Sequence, residues 1–232
     1  MSEASEKVLS LKQLPIFPLP LVLLPNEMLP LHIFEPRYRQ MLKDAEAGKN
    51  MFGVSFFNPN RSFSDKPASG SVGCVAEIRE VQMMPDGRSN IMTSGVIRYR
   101  LLDYVETNEP YLIADVDFFE DFEEDANTLN PLTEEVFALF RRVAQAAHKI
   151  SGAPGAFPEI ARAEPQMLSF LVTAAFNLET DLKYRMIETR STVERLTKMR
   201  EILLQAVGPM EENAEIRKIA GTNGHGKKKI DL

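Results

Sequence analysis

The three histidines of this 232-residue chain are the first side chains to test for catalysis or metal binding. His32 lies three residues before Glu35, a spacing that two metal ligands could use. However, Pro36 places Glu35 at a helix start, and no second histidine follows at the spacing of a zinc-binding helix. His148 lies near the end of a predicted helix, where the helix dipole favours a cation, and His225 lies in a polar tail. We therefore predict no catalytic histidine and no metal site.

The sequence signals for phosphate binding and for nucleophilic catalysis are as weak as those for a histidine site. The phosphate-loop pattern GxxxxGK[ST] is approximated only at residues 221–228, where Lys228 replaces the hydroxyl residue and no strand precedes the loop. No serine and lysine share the context of a catalytic pair. Cys74 is the only cysteine, so it cannot form an internal disulfide, and we interpret it as a small buried side chain. The sequence predicts neither an enzyme nor a cofactor.

Composition and charge narrow the classes of partner. Hydrophobic residues make up 44% of the chain and charged residues 26%, which is typical of ordinary globular proteins. A net charge of −6 provides no overall field that attracts nucleic acid or anionic lipid. The longest apolar run, residues 14–24, contains three prolines and is too short to cross a bilayer. Since no secretory signal pattern is present either, we expect a cytoplasmic protein.

The first half of the chain has the pattern of an antiparallel β unit interrupted by one helix. That helix is predicted over residues 36–47, between a proline at its first turn and Gly48 after its end. Pro85-Asp86-Gly87 predicts a hairpin turn, because proline presets φ and glycine accepts a positive φ. Alternating or apolar runs predict strands near residues 16–19, 21–24, 29–34, 51–57, 72–84, 89–94, 96–105 and 112–119.

The periodicity becomes helical after the acidic run at residues 120–127. Ser191 followed by Glu194 forms a capping box that predicts the start of the last helix. Helices are expected near residues 132–150, 165–177, 182–188 and 192–207. The predicted organisation is therefore a flexible N-terminus at 1–13, a β-rich subdomain at 14–125, a helical subdomain at 126–208, and a polar, largely disordered tail at 209–232.

Several motifs follow one another in order along the chain. They are LPIFPLP at 14–20, NEMLPLHIFEPRYR at 26–39, VGCVAEI at 72–78, PDGRSNI at 85–91, GVIRYR at 95–100, PYLIA at 110–114 and DLKYRMIET at 181–189. Together these motifs resemble the N-terminal substrate-binding domain of Lon proteases, over roughly residues 14–207. The resemblance implies an α+β fold, with an N-terminal antiparallel β barrel or sheet related to the PUA fold and a C-terminal helical bundle. Because the ATPase and peptidase signatures are missing, a stand-alone member is expected.

The resemblance implies a non-enzymatic module that recognises polypeptide. The expected partner is unfolded or damaged protein, with a protease or a chaperone as a further candidate partner in an adaptor role. Methionine suits such surfaces because its thioether adapts to different partners. The candidate contacts are Phe63, Met83, Met84 and Arg88, with Phe56 and Phe57 as further apolar candidates.

Two alternatives remain open from the sequence. The PUA-like barrel could bind RNA through Arg88, Arg98 and Arg100, although no wider basic stripe accompanies them. An enzyme with an unrecognised site would instead require a polar pocket with perturbed carboxylates.

Overall fold

A computed structural model of the chain describes residues 2–58, 60 and 66–223. In chain order these residues form the following helices and strands: α1 (Glu3–Val8), β1 (Gln13–Leu19), β2 (Met28–Ile33), α2 (Pro36–Ala47), β3 (Met51–Phe56), β4 (Val72–Met83), β5 (Ser89–Val105), β6 (Leu112–Phe119), α3 (Ala126–Ser151), α4 (Pro165–Ala175), α5 (Thr180–Glu188) and α6 (Thr192–Asn223). The α+β class predicted from the sequence is confirmed.

The chain forms two compact units that are not simply consecutive. Unit 1 comprises Met1–Phe122 and Thr173–Arg190, and unit 2 comprises Glu123–Val172 and Ser191–Leu232. The predicted subdomains, a β-rich one at 14–125 and a helical one at 126–208, stay a prediction. The two compact units differ from them because α5 returns to unit 1. That return depends on tertiary contacts: the Tyr184 hydroxyl accepts a 3.0 Å hydrogen bond from the Val72 amide, and Lys183 lies 2.7 Å from Glu27.

The sheet of unit 1 closes into a barrel. Its strand order is β2-β5-β4-β3-β1-β6, and an additional pairing joins β6 back to β5. All pairings are antiparallel except that of β1 with β3, which is parallel because β2 and α2 intervene between these strands in the chain. Tyr99 is fully buried in the barrel, and its hydroxyl lies 2.7 Å from Ser55 Oγ. The core around it contains Leu14, Ile16, Met51, Val75, Ile97, Leu101, Ala114 and Val116.

Two strand predictions were wrong: the strand at residues 21–24 and the break between the strands at 89–94 and 96–105. Residues 21–24 form no strand, although Val22, Leu23 and Leu24 are all buried. Their burial mimics the sequence pattern of a core strand, but the Leu24 amide donates to the Glu27 carboxylate at 2.8 Å instead of joining a ladder. The strands predicted at 89–94 and 96–105 are one continuous strand, β5, which passes through Gly95.

Gly95 is the point where the irregular segment after β1 crosses β5. A Cβ atom there would lie 2.1 Å from the Leu24 carbonyl oxygen and 3.2 Å from Cys74 Sγ. The Gly95 amide donates to Glu27 O, and its carbonyl accepts from the amide of Asn26, both at 2.9 Å. Cys74 is fully buried, as predicted, and burial raises the pKa of its thiol to about 12.

The N-terminus differs from the flexible segment that the sequence predicted. The Ser2 hydroxyl caps α1 by accepting a hydrogen bond from the Ser5 amide at 3.1 Å. Val8 is buried in the core of unit 1. Val8 is joined there by partly buried Ala4 and Leu11. These few apolar contacts anchor a short helix that periodicity could not reveal.

In unit 2, the predicted start of α6 is confirmed and its predicted end is wrong. Ser191 Oγ accepts from the Glu194 amide at 3.0 Å. The helix continues past Pro209 to Asn223 because Ala214 is buried and because Arg142 makes two 2.9 Å hydrogen bonds to Glu211. The adjacent glycine and proline at 208–209 suggested a helix end. Residues 224–232 of the predicted tail lie outside the described residues.

The close approach at Gly95 predicts a large cost for adding one methyl group. Gly95→Ala should lower the free energy of unfolding by about 3 kcal/mol, because backbone atoms would have to separate. Gly48→Ala is the matched control, since its Cβ would meet nothing closer than 3.4 Å. Urea unfolding followed by tyrosine fluorescence reports on unit 1, which contains Tyr38, Tyr99, Tyr104, Tyr111 and Tyr184. Equal midpoints for the two variants would contradict the crossing.

Candidate functional site

The first half of β5 extends beyond the closed barrel and pairs with β2 on one side and β4 on the other. His32 is in register with Asn90, and Pro30 is in register with Met92. On the other side, Asn90 pairs with Gln82 and Met92 with Glu80. Because side chains alternate along a strand, these rows share one surface. We call it the β2–β5–β4 face; its residues are Met28, Pro30, His32, Glu80, Gln82, Asn90 and Met92.

A groove of about 370 Å³ runs along this face. Met28 is 53% exposed at one end of the face, and Phe34, the residue after β2, is 58% exposed at the other. The His32 and Phe34 rings stack with centroids 5.9 Å apart. His32 Nδ1 also lies 2.7 Å from Asn90 Oδ1. The groove is lined by Pro30, Leu31, His32, Glu80, Gln82, Asn90, Ile91 and Met92.

The position of β2 explains why this face is open. β2 is the terminal strand in the sheet order, so none of the residues that the structure describes forms a strand along its outer edge. Pro30 lies at its centre and has no amide hydrogen to offer a further strand, which is the usual place for proline in a sheet. The face therefore presents side chains, and its outer backbone edge is a poor template for another strand.

The charges around the face are mostly compensated. Glu77 Oε2 lies 2.8 Å from Arg79 and 3.2 Å from Lys7. Arg79 also donates to Ser94 Oγ at 3.3 Å. Glu80 is exposed and has no ion-pair or hydrogen-bond partner among the residues that the structure describes. The groove thus combines apolar side chains, two amides and the imidazole of His32 with a single uncompensated carboxylate.

Three of the predicted contact residues lie at the hairpin tip between β4 and β5. Met83 is 76% exposed, whereas Met84 is half-buried. Arg88 is exposed and forms a 2.6 Å ion pair with Asp86, whose pKa is lowered by the hydrogen bond from Arg88. Met83 follows Gln82, so its side chain points away from the β2–β5–β4 face.

Phe63, the remaining predicted contact, lies outside the described residues. Its position relative to the hairpin tip therefore stays a prediction.

The two further apolar candidates are partly used within the fold. The Phe56 ring lies 5.6 Å from that of Tyr184. Phe57 is half-buried, and its amide donates to Leu19 O at 2.8 Å. Neither belongs to the β2–β5–β4 face.

The arginines of the RNA-binding alternative do not form one basic surface. Arg98 is 1% exposed. Its guanidinium donates to the carbonyls of Ile187 (3.0 Å) and Thr189 (2.6 Å), and it also pairs with Asp121. Strand alternation correctly directs Arg98 out of the barrel, but the chain after α5 covers it. Arg100 is exposed and donates to Gly70 O at 2.8 Å.

Sequence reasoning missed most of the β2–β5–β4 face. His32 had been examined only as a metal ligand, and Met28, Glu80 and Met92 had not been singled out. Alternation within β2 was a usable signal, because Met28, Pro30 and His32 are all exposed. Their pairing with β5 and β4 could not be read from the local sequence.

Other sites are less suited to recognition. Two further grooves have volumes of about 380 Å³ each; one lies in unit 2 and the other in unit 1. Ion pairs border both: Arg162 with Glu134 in unit 2, and Lys183 with Glu27 in unit 1. Among the described residues no group of histidine, cysteine or carboxylate side chains is arranged to hold a metal ion. No helix in the described part of the chain is long and apolar enough to cross a membrane.

Comparisons with known proteins agree with the architecture. A family model described as the ATP-dependent protease La (LON) substrate-binding domain matches residues 13–205. The Lon N-terminal domain protein of Xanthomonas campestris superposes with a TM-score of 0.57 and 20% identity, over 81% of this chain and 96% of that chain. The N-terminal domain of Mycobacterium avium complex Lon protease superposes with a TM-score of 0.60 and 18% identity, over 83% of this chain and 98% of that chain. These structures show the shared fold.

Two sequence relatives are Lon proteases. That of Cytophaga hutchinsonii is 26% identical over 213 residues, which are 88% of this chain and 25% of that protein. That of Heliobacterium modesticaldum is 22% identical over 221 residues, or 93% of this chain and 27% of that protein. The chain therefore spans about a quarter of the length of these relatives.

The buried position of Arg98 predicts a stability defect. Arg98→Met should lower the free energy of unfolding by about 3–5 kcal/mol, because Asp121 would remain buried without its cation. Arg88→Met is the control; it breaks an exposed pair, which typically contributes no more than about 1 kcal/mol. Urea titrations followed by tyrosine fluorescence measure both. A difference under about 1 kcal/mol between the variants would refute the structural role of Arg98.

Proposed function

The chain belongs to the family of the ATP-dependent protease La (LON) substrate-binding domain, and on that basis we propose that it binds extended protein segments on the β2–β5–β4 face. In this role it performs no catalytic step of its own. The substrates of a protease are polypeptides, so a substrate-binding domain from that family is expected to recognise polypeptide. The observation that carries the proposal is the open groove along β2, β5 and β4.

The side chains of the face suit unfolded polypeptide. Exposed Met28 and half-buried Met92 provide flexible apolar contacts that adjust to different side chains. The amides of Asn90 and Gln82 can both donate and accept hydrogen bonds, as an extended backbone requires. Such contacts favour a broad range of sequences over one fixed partner. Unfolded or damaged segments, which expose apolar side chains, fit this description.

We also propose an adaptor role, in which the chain presents bound segments to a protease or to a chaperone. Arg88, exposed at the hairpin tip, is proposed as a secondary contact close to the end of the groove. Because the Met83 side chain points away from the face, Met83 is proposed as a contact only for segments that continue around the tip. Met84 and Phe63 remain weaker candidates. RNA binding has less support, since Arg98 is buried and the chain carries a net charge of −6.

Direct binding to an unfolded peptide tests the proposal. The probe is a fluorescein-labelled peptide of neutral charge without secondary structure, carrying Phe, Leu and Met among Ser and Gln. Fluorescence anisotropy should show micromolar binding by the wild type. The double variant Met28→Ser, Met92→Ser should bind at least about tenfold more weakly, equivalent to about 1.4 kcal/mol, because two apolar contacts are removed.

The matched control is the double variant Leu9→Ser, Leu102→Ser. Both leucines are exposed and lie outside the face, at 71% and 49% exposure. Circular dichroism verifies that every variant is folded. A loss of affinity as large in the control, or no wild-type binding across the micromolar range, would count against the proposal. Met83→Ser and Arg88→Ala, measured in the same way, test the secondary contacts.

A further inference from the structure

Glu80 differs from the other carboxylates around the groove. Glu77 is compensated by Arg79 and Lys7 at 2.8 and 3.2 Å. Asp86 is compensated by Arg88 at 2.6 Å. Glu80, by contrast, is exposed and has no hydrogen-bond or ion-pair partner within the described part of the chain.

Glu80 also occupies the central row of the β2–β5–β4 face. It is in register with Met92, which in turn is in register with Pro30. Both neighbours in the row are apolar, and the flanking row provides Gln82, Asn90 and His32. Any segment bound along the groove therefore contacts apolar, amide and imidazole groups together with one carboxylate.

The sign of that charge affects which segments bind. An ion pair between exposed charges typically changes an affinity by no more than about fivefold. A basic residue opposite Glu80 strengthens binding by up to this factor, whereas an acidic residue weakens it by a similar factor. A neutral segment would remove water from the carboxylate without replacing its hydrogen bonds, which is also unfavourable.

The strand geometry relates the cation to the apolar contacts. In an extended segment, residues two apart point to the same side and are separated by about 6.6 Å. Met92 and Pro30 lie about 4.8 and 9.6 Å from Glu80 across the sheet. In a segment that crosses the strands, a basic residue facing Glu80 therefore places the residue two positions away over Met92 and Pro30. The segment that best complements the groove therefore has an apolar residue, then any residue, then a basic residue.

We propose that Glu80 makes the groove selective for extended segments in which a lysine or an arginine lies two residues from an apolar side chain, and that it disfavours acidic segments. This inference rests on the proposed polypeptide-binding function. Glu80 is a specificity-determining residue, whereas the apolar side chains of the face supply affinity that is independent of charge.

Three matched peptides test the inference. Each carries the neutral probe sequence with one central position, two residues from Phe, occupied by Lys, Gln or Glu. The wild type should bind them in the order Lys, Gln, Glu, with about a tenfold difference between the first and the last at low salt. The difference should shrink at 0.5 M NaCl, because exposed charges are screened over a few ångströms at such ionic strength.

Variants of Glu80 distinguish its charge from other causes of selectivity. Glu80→Gln should reduce the preference for the Lys peptide over the Glu peptide to less than about threefold, and Glu80→Lys should reverse it. Glu106→Gln is the control: it removes the same charge just beyond the opposite end of β5 and should leave the preference unchanged.

The outcomes separate the two proposals. If Glu80→Gln retains the full wild-type preference, or if Glu106→Gln removes it, the role of Glu80 is wrong. If the wild type binds all three peptides equally and Met28→Ser, Met92→Ser still weakens binding, the inference fails and the proposed function stands. If no peptide binds to the wild type, both fail.

Discussion

The architecture of unit 1 depends on the close backbone approach between Gly95 and Leu24. Gly95 exchanges hydrogen bonds with Asn26 and Glu27, and the Leu24 carbonyl occupies the space that a side chain at position 95 would need. Asn26 supports the approach with a φ of 64°, a left-handed conformation that asparagine tolerates better than most residues. These contacts hold the segment between β1 and β2 across β5, although residues 21–24 form no strand and join no ladder of backbone hydrogen bonds.

This crossing lies where β5 changes partners, and the change creates the proposed binding face. Beyond Gly95, β5 pairs with β6 and β4 and closes the barrel. Before Gly95 it pairs with β2 and β4 in an extension, and in the described part of the chain no further strand pairs with the outer edge of β2. Arg98 lies in the part of β5 that closes the barrel, and it donates hydrogen bonds to the carbonyls of Ile187 and Thr189 in the returning segment. A closed barrel thus supports an open three-stranded face.

Local signals predicted local structure well. Helix α2 begins and ends where Pro36 and Gly48 predict, and the hairpin turn at residues 85–87 separates β4 from β5. The errors arose where burial came from distant contacts, as in the segment 21–24 and in the return of α5 to unit 1. At the candidate site, Met83 is exposed at the hairpin tip, but no local signal indicated the groove. Its rows exist only through cross-strand register, which joins residues up to about sixty positions apart.

The most direct test of the central claim is methyl NMR of protein labelled with ¹³C at the methionine methyl groups. Met28 and Met92 lie on the proposed face, while Met41 is fully buried in unit 1 and Met167 is 40% exposed in unit 2. Titration with an unfolded, unlabelled peptide should shift the signals of Met28 and Met92 and leave those of Met41 and Met167 in place. If Met167 shifts instead and Met28 and Met92 do not respond to saturating peptide, the face that we propose does not bind polypeptide.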